Sequence, residues 1–340
     1  MRECDVAVIG AGPGGYECAL ALAKLGKAVC LIEKRAIGGT CLNESCVPAK
    51  NFLERAQLHY KATLTGFAMP SLCEDTNALI ATLRQGIETK LSKAGVEILR
   101  GEARFEDANT LHVKGETSLH VKAKEVVIAT GSTHRPHPLL SIDGKHIISS
   151  REAFHLQEVP TRVLVVGGGA IGCEFATFFH NLGSETVIAE FMPQLIPAED
   201  VDVAQALERE FKKKKVKVHL GANVTKYEVG EKGIDVTMQT PRGEVNLQTD
   251  LILVSIGRIP NTVSLGLEKA GIENNRGFVC VDKYLRTTQP HIYAIGDAIA
   301  TPALAHTAYN EAITVANNMN GAQEEPATII PYVTFCQPQI

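Results

Sequence analysis

The sequence contains no tryptophan, and its aromatic residues make up only 5% of 340 positions. Its cores must therefore pack mainly aliphatic side chains, which a hydrophobic fraction of 45% supplies. The chain also lacks an apolar run long enough to span a bilayer, and its first residues lack the apolar stretch of a secretory signal. We therefore expect no membrane partner and a cytoplasmic location.

An excess of charge of one sign is missing as well. The 34 Lys and Arg residues nearly balance the 38 Asp and Glu residues, and no basic arm or stripe is present. A protein that binds the phosphates of nucleic acid needs such a basic surface, so we expect no nucleic-acid partner. The length predicts two or three domains rather than one.

The nine cysteines do not form the regular framework of a small secreted protein, because they are scattered through a large chain. The apolar or glycine-rich neighbours of several of them favour small buried side chains, and a reducing cytosol fits this usage. These residues are Cys4, Cys18, Cys30, Cys173 and Cys280. Cys41 and Cys46 differ, since they lie close together directly after a nucleotide-binding pattern.

One pattern occurs twice in the chain: a continuous apolar strand, a glycine-rich turn, a helix and a second apolar strand. The two turns are residues 10–15 and 167–172. Apolar strands of this kind are typical of a parallel sheet that is buried on both faces. The repeat predicts an α/β fold with two Rossmann-like dinucleotide-binding domains.

In the first turn, each glycine has a separate task. Gly10 permits the tight turn, Gly12 lets a pyrophosphate approach the backbone, and Gly15 lets helix and strand pack closely. The helix N-terminus adds positive potential for the phosphates. Glu33, at the end of the second strand, is placed to accept hydrogen bonds from ribose hydroxyls.

The second turn repeats this arrangement with Gly167, Gly169 and Gly172, and its acidic residue is Glu190. A carboxylate at this position favours a free ribose 2′-hydroxyl and repels a 2′-phosphate, which predicts NAD rather than NADP. The alternative is that Glu190 is a surface acid that merely ends a strand.

The cysteine pair precedes a predicted helix. Pro48 suits the first turn of that helix, and a helix N-terminus beside Cys46 lowers the pKa of its thiol. Lys50 follows four residues later on the same helical face, where its charge can stabilise a thiolate. Two alternatives remain at this point: two buried cysteines, or a zinc site, although no second Cys/His pair with ligand spacing accompanies it.

Elsewhere, hydrophobic periodicity predicts helices over residues 49 to about 64, 76 to about 94, and 306–319. Short strands are expected between Glu97 and Val121, and another strand from Tyr332 to Phe335.

Together, these features resemble the pyridine nucleotide–disulfide oxidoreductases, and most closely the dihydrolipoamide dehydrogenase branch. The matching segments occur in order along the chain: residues 10–15, 39–50, 129–132, 167–174, 257–261, 294–297 and 304–306. The resemblance implies a second domain inserted in the first. It implies a FAD-binding domain at 1–149 and 276–328, a NAD-binding domain at 150–275, and the stump of an absent interface domain at 329–340.

The resemblance also implies roles for single residues. Cys46 would be the flavin-side cysteine, Cys41 the one that exchanges with substrate, and Lys50 and Glu174 an ion pair near the flavin. Without this resemblance, Glu174 would be interpreted simply as an acid in the first turn of a helix. The residues implied to bind FAD are Gly10, Gly12, Gly15, Glu33, Thr40, Lys50, Ala103, Thr130, Gly131, Ser132, Asp297, Ala303, Leu304, Ala305 and His306. Those implied to bind NAD are Gly167, Gly169, Ile171, Gly172, Glu190, Val224 and Gly257.

The implied activity is oxidation of dihydrolipoamide by NAD⁺ through the Cys41–Cys46 disulfide and FAD. The implied partners are a small or lipoyl-domain dithiol and a 2-oxoacid dehydrogenase complex. Alternatives are a mercuric or glutathione-like reductase, or a catalytically silent flavoprotein module of such a complex. Members of this family are homodimers whose interface domain supplies the general base, so we expect this chain to be a monomer or weak dimer with poor lipoamide turnover.

Three positions depart from the pattern of the family. Ser45 stands where Gly is usual, and Ala49 where Ser or Thr is usual. Glu44 places a negative charge close to Cys46, which would disfavour a thiolate there.

Overall fold

The computed structural model describes residues 1–63 and 66–340, and these form two compact units. The first unit comprises Met1–Asn43, Ile80–Thr133 and Ile259–Pro331. The second comprises Glu44–Leu79, His134–Arg258 and Tyr332–Ile340. The predicted α/β class is confirmed, since each unit is built on a parallel sheet with helices.

The sheet of the first unit has a parallel part and an antiparallel part. Its strands in spatial order are Glu97–Arg100, Val29–Glu33, Arg2–Ile9, Ser118–Ile128, Thr110–Lys114 and Glu102–Phe105, with Ile292–Ala294 also parallel to Ser118–Ile128. The first four strands run parallel, and the last three form an antiparallel meander. Parallel strands with four apolar residues in a row, such as 6–9, need cover on both faces, which explains their complete burial.

Helices and short segments complete this unit. The helices are Pro13–Lys24, Gly39–Glu44 (which ends one residue into the second unit) and Ala305–Met319, and the 3₁₀ turns are Val263–Leu265, Leu267–Ala270 and Gly296–Ala298. A two-stranded ribbon joins Asn274–Asn275 with Phe278–Val279. The helix Met69–Lys93 has residues in both units, and the short strands Ser132–His134 and Arg258–Pro260 lie at the ends of unit segments.

The second unit contains two sheets. The parallel sheet has the order Lys217–Leu220, Glu185–Glu190, Arg162–Val166, Leu251–Val254 and Ile147–Ile148, and the antiparallel sheet consists of Asn223–Gly230, Gly233–Thr240 and Gly243–Thr249. Its helices are Cys46–Lys61, Ser150–Ala153, Ala170–Asn181 and Val201–Lys213. Most of the chain's few aromatic rings collect here: Phe52 lies 5.1 Å from Phe154 and 5.4 Å from Phe178 between ring centroids.

This packing explains why residues 44–79 belong to the second unit, although the family resemblance implies that they are part of a FAD domain. The helix Cys46–Lys61 buries Phe52, Leu53 and Ala56 in the core of the second unit. The bounds of the cofactor domains stay a prediction. Leu64, the expected end of this helix, lies outside the described residues.

The expected strand at Tyr332–Phe335 is wrong, because these residues belong to no strand of the structure. The backbone N–H of Thr334 donates to the carbonyl of Ile340 at 2.8 Å, and that of Ile340 donates to the carbonyl of Thr334 at 3.1 Å. The segment thus satisfies part of its backbone within itself rather than in a sheet.

Candidate functional site

The first glycine turn has the shape that a dinucleotide requires. Gly10 has φ of +101°, and Gly12 caps the helix Pro13–Lys24. A Cβ at Gly15 would lie 1.8 Å from the carbonyl oxygen of Gly10, so helix and turn touch backbone to backbone. A Cβ at Gly12 would meet no protein atom within 4 Å, which leaves open space at the helix N-terminus for a phosphate.

The acid of this motif is fixed by the turn itself. Glu33 ends the strand Val29–Glu33 and is buried. Its carboxylate accepts hydrogen bonds from the backbone N–H of Ala11 and of Arg35, both at 2.7 Å. The carboxylate is therefore held at the strand end, beside the turn, where a ribose would lie.

The second glycine turn has the same backbone features as the first. Gly167 has φ of +106°, and a Cβ at Gly172 would lie 1.8 Å from the carbonyl oxygen of Gly167. Gly169 caps the helix Ala170–Asn181, and a Cβ there would again meet no protein atom within 4 Å. The predicted repeat is therefore present in the geometry of both turns.

Glu190 is bound in the same way as Glu33. Its carboxylate accepts hydrogen bonds from the backbone N–H of Gly168 and, at 2.6 Å, from that of Met192. The carboxylate is buried at the end of its strand. A buried, fixed negative charge at this place is a direct obstacle to a phosphate on the ribose 2′-oxygen.

The other residues predicted to contact NAD all lie in the second unit. Ile171 is in the first turn of the helix Ala170–Asn181, and Val224 is buried in the strand Asn223–Gly230. Gly257 has φ of +103°, and its carbonyl accepts a hydrogen bond from the backbone N–H of Arg135 at 2.9 Å.

In the first unit, the structure brings together several residues predicted to bind FAD. The Ser132 hydroxyl donates to the Asp297 carboxylate. Asn261 binds the turn that directly precedes Ser132. Its backbone N–H donates to the Gly131 carbonyl at 2.9 Å, and its side chain donates to the Thr130 carbonyl at 3.2 Å. The Thr130 hydroxyl is buried without a hydrogen-bond partner among the described residues.

The last predicted FAD segment forms a helix N-terminus. Leu304 caps the helix Ala305–Met319, directly after Ala303, and His306 Nε2 donates to the Pro331 carbonyl at 2.9 Å. Thr307, in the first turn, also has a buried hydroxyl without a partner in the part of the chain that the structure describes. Buried polar atoms are normally paired, so the Thr130 and Thr307 hydroxyls favour a polar ligand in this unit.

Thr40 and Ala103 are the remaining residues of the first unit that are predicted to bind FAD. Thr40 lies in the short helix Gly39–Glu44, and Ala103 is buried in the strand Glu102–Phe105. Gly39 has φ of +57°, and a Cβ there would lie 2.6 Å from Cα of Gly12. The start of the cysteine segment is therefore packed directly on the phosphate turn. The open cradle, the fixed acid and the unpaired hydroxyls of the first unit fit FAD.

The two motif cysteines lie on successive helices. Cys41 is in Gly39–Glu44, and Cys46 is the first residue of Cys46–Lys61, which begins slightly earlier than the sequence predicts. Both are partly exposed, and the Ser45 hydroxyl lies 4.0 Å from Cys46 Sγ. The position of Cys46 at a helix N-terminus is the one that stabilises a thiolate.

Other cysteines are in a different environment. Cys18, Cys173 and Cys336 are fully buried, and burial raises the pKa of the Cys18 and Cys336 thiols to about 12 and that of Cys173 well above its usual value. These thiols stay protonated and unreactive at neutral pH. The prediction that Cys4 and Cys280 are buried is wrong, since both are partly exposed; Cys4 lies near the exposed start of its strand.

Lys50 and Glu174 are brought together across 124 positions of sequence. Lys50 Nζ lies 2.8 Å and 2.9 Å from the two carboxylate oxygens of Glu174, which is 7% exposed. The backbone N–H of Phe335 donates to Glu174 Oε1 at 3.0 Å, and the Phe335 ring centroid lies 4.4 Å from Lys50 Nζ. Phe335 thus contacts both members of the ion pair, although its sequence context predicts only a strand residue.

A pair of tyrosines near Cys41 was also missed. The hydroxyls of Tyr16 and Tyr309 are hydrogen-bonded, and their ring centroids are 5.9 Å apart. Burial is the main cause that raises the pKa of Tyr16, followed by its bond to Tyr309, with a smaller contribution from Cys41. No local sequence signal indicates either contact, because 293 positions separate the two tyrosines.

Two kinds of feature are missing from the described ranges. Within residues 1–63 and 66–340, no group of three or more His, Cys, Asp or Glu side chains is arranged to hold a metal ion. No helix in these ranges is long and apolar enough to cross a membrane.

Comparison with known sequences matches residues 4–312 to the family described as pyridine nucleotide-disulphide oxidoreductase. The chain belongs to this family. It is 38% identical to a dihydrolipoyl dehydrogenase of Chlorobaculum tepidum, covering 99% of this chain and 75% of the relative. It is 35% identical to the dihydrolipoyl dehydrogenase of Bacillus subtilis, over 93% of this chain and 71% of the relative.

Two solved structures have the same fold as this chain. LpdA from Mycobacterium tuberculosis has a TM-score of 0.92 at 26% identity, over all of this chain and 77% of its own. The flavoprotein disulfide reductase RclA from Escherichia coli, as a Cu(II) complex, has a TM-score of 0.90 at 30% identity, over all of this chain and 76% of its own. The chain is thus a FAD- and NAD-dependent flavoprotein oxidoreductase of the disulfide reductase type.

Proposed function

We propose that this chain oxidises dihydrolipoamide to lipoamide with NAD⁺, through FAD and a disulfide between Cys41 and Cys46. The observation that carries the proposal is the Lys50–Glu174 ion pair, whose lysine lies on the helix that begins at Cys46. This arrangement places a cation one helical turn from a sulfur that must leave as a thiolate. The curated relatives named dihydrolipoyl dehydrogenase support this choice of substrate.

The protein's own part is thiol–disulfide exchange. A substrate thiolate attacks Cys41 Sγ and forms a mixed disulfide, while the bond to Cys46 breaks and its sulfur leaves as a thiolate. The second substrate thiolate then attacks the substrate sulfur of the mixed disulfide, which closes the lipoamide ring and releases Cys41 to take up a proton. The helix N-terminus and Lys50 stabilise the Cys46 thiolate. When bound, FAD supplies two-electron transfer between this dithiol and NAD⁺.

We propose that each unit holds one cofactor. The residues that would hold FAD are Gly10, Gly12, Gly15, Glu33, Thr40, Lys50, Ala103, Thr130, Gly131, Ser132, Asp297, Ala303, Leu304, Ala305 and His306. The residues that would hold NAD are Gly167, Gly169, Ile171, Gly172, Glu190, Val224 and Gly257. The paired geometry of Glu33 and Glu190 supports two ribose sites of one design.

Replacement of Glu190 by Gln is expected to weaken the preference for NADH. The buried carboxylate repels a 2′-phosphate, so NADH should exceed NADPH in kcat/KM by about 100-fold in the unchanged chain, and by about 10-fold or less in the variant. The measurement is reduction of a dye by either nucleotide. Glu185→Gln is a matched control, since Glu185 begins the same strand, is exposed and pairs with Lys217. Equal use of both nucleotides by the unchanged chain would contradict the assignment.

An anaerobic titration with NADH tests the proposed function directly. The expected result is a long-wavelength absorbance band between a thiolate and the oxidised flavin, which requires both the disulfide and FAD. Bleaching of the flavin without this band would refute the disulfide relay. NAD⁺ reduction with dihydrolipoamide is then compared with NADPH oxidation by glutathione disulfide and by Hg²⁺. A clear preference for either of the latter would replace lipoamide with a glutathione- or mercuric-type substrate.

We also propose a cytoplasmic location and association with a 2-oxoacid dehydrogenase complex through its lipoyl domains. Binding of a lipoyl domain without turnover would instead favour a catalytically silent module. Analytical ultracentrifugation tests the expectation of a monomer or weak dimer.

A further inference from the structure

Glu44 lies in the short segment between the two motif cysteines, two residues before Cys46. By itself, its carboxylate disfavours a thiolate on Cys46. In the structure, Glu44 Oε2 lies 2.8 Å from Arg151 Nε. The Glu44 side chain is 15% exposed and that of Arg151 34%, so the pair is only partly screened by water.

Arg151 lies in a short helix whose start is held by side-chain hydrogen bonds. Arg151 is in the helix Ser150–Ala153, which directly follows the strand Ile147–Ile148. Ser149 caps this helix: its hydroxyl accepts from the Arg151 backbone N–H at 3.2 Å, and its own N–H donates to Glu152 at 2.8 Å. This reciprocal pair of bonds fixes the start of a short helix, so the Arg151 side chain begins from a fixed point.

The positive charge of Arg151 affects the pKa of a neighbouring histidine. Burial lowers the pKa of His134, and the positive charge of Arg151 lowers it further, while Glu152 opposes this. Lys50, on the helix that begins at Cys46, is bound to Glu174 in a separate ion pair. Arg151 is therefore placed to neutralise Glu44.

We infer that Arg151 is a positioning residue of the disulfide centre: it binds and neutralises Glu44, so that a carboxylate can stand beside the redox cysteines without suppressing the Cys46 thiolate. This inference rests on the proposed function of Cys46. The Glu44 and Cys46 backbones are within about 8 Å of each other, since consecutive Cα atoms are about 3.8 Å apart. An unpaired charge at such a distance shifts a pKa by about one unit in a partly exposed site.

The test is a double-mutant cycle on the full chain with FAD bound. The variants are Arg151→Gln, Glu44→Gln and the double variant, reduced with a dithiol. The alkylation rate of Cys46 by iodoacetamide is measured against pH, with mass spectrometry of the peptide that carries it. Arg151→Gln should raise the apparent pKa of the Cys46 thiol by about one unit and slow its alkylation at pH 7 by up to about tenfold. Glu44→Gln should lower it by a similar amount, and the double variant should return to within about 0.3 units of the unchanged chain.

Two results would overturn the inference: no shift in Arg151→Gln, or a double variant shifted as far as Arg151→Gln alone. The second result would mean that Arg151 acts on Cys46 without Glu44. Melting temperatures of all variants identify loss of structure; should Arg151→Gln fail to fold, Glu44→Gln still decides, because an unchanged pKa there contradicts the inference. Absence of a thiolate–flavin band in the unchanged chain would refute the proposed function. The alkylation cycle would still show whether Arg151 neutralises Glu44.

Discussion

Replacement of Cys46 by Ser is expected to reduce dihydrolipoamide-dependent NAD⁺ reduction by at least about 1000-fold, because serine can neither form the disulfide nor leave as a thiolate. The long-wavelength band should vanish as well. Cys46 begins the helix that carries Lys50, so removal of its sulfur leaves the Lys50–Glu174 ion pair without the thiolate it serves. Steady-state turnover and the NADH titration measure the two effects.

Two controls make this result specific. Reduction of a one-electron dye by NADH needs FAD and NAD but no cysteine, so Cys46→Ser should keep this activity within about twofold. Cys280→Ser changes a partly exposed cysteine outside the motif and should alter neither reaction. Appreciable dihydrolipoamide oxidation by Cys46→Ser would assign the chemistry to other residues. Loss of the dye reaction would show instead that the variant no longer holds its cofactor.

Replacement of Gly15 by Ala is expected to destabilise the first unit by about 3 kcal/mol or more. The added Cβ would lie 1.8 Å from the Gly10 carbonyl oxygen and 3.3 Å from the Ala129 side chain, and backbone cannot move aside as a side chain can. The phosphate turn must then separate from its helix. Thermal unfolding should show a melting temperature lower by several degrees, and the purified protein should have little flavin.

Gly12→Ala is the matched comparison three residues earlier. A Cβ there meets no protein atom within 4 Å, and the backbone of Gly12, with φ of −69° and ψ of −176°, suits any residue. The apoprotein should therefore keep its stability within about 0.5 kcal/mol, whereas the bound FAD should decrease, because the new methyl group occupies the open space at the helix N-terminus. Full flavin content in Gly12→Ala would show that the phosphates of FAD do not lie there. Equal stability of Gly15→Ala and the unchanged chain would disprove the close contact.

Local sequence patterns predicted both strand–turn–helix segments correctly. Apolar strands and glycine turns are recognisable because their requirements lie within about 30 residues of chain. The helix expected from residue 306 begins at Ala305, and the strands expected between Glu97 and Val121 are present. Helix starts were less accurate: the helix expected from residue 76 begins at Met69, because apolar residues of its first turn pack in the core and extend it.

The error at Tyr332–Phe335 has a physical cause. The aromatic and β-branched residues there predict a strand, but a strand needs a neighbouring strand to accept its backbone hydrogen bonds. In this structure the Phe335 N–H donates to the Glu174 carboxylate and that of Thr334 to Ile340. Since the pairing of a backbone group depends on distant residues, the residue types alone could not reveal it.

By itself, the sequence determined that this chain has two dinucleotide turns, an acid at the end of each second strand, and a cysteine pair at a helix start, since each depends on a few neighbouring residues. Only the tertiary structure decided what surrounds these groups. It brought Glu174 to Lys50 across 124 positions, Phe335 to Glu174 across 161, and Arg151 to Glu44. Such contacts follow from how strands and helices pack, and the same local patterns are compatible with many distant partners. The charges next to Cys46 are therefore a property of the fold rather than of its motif.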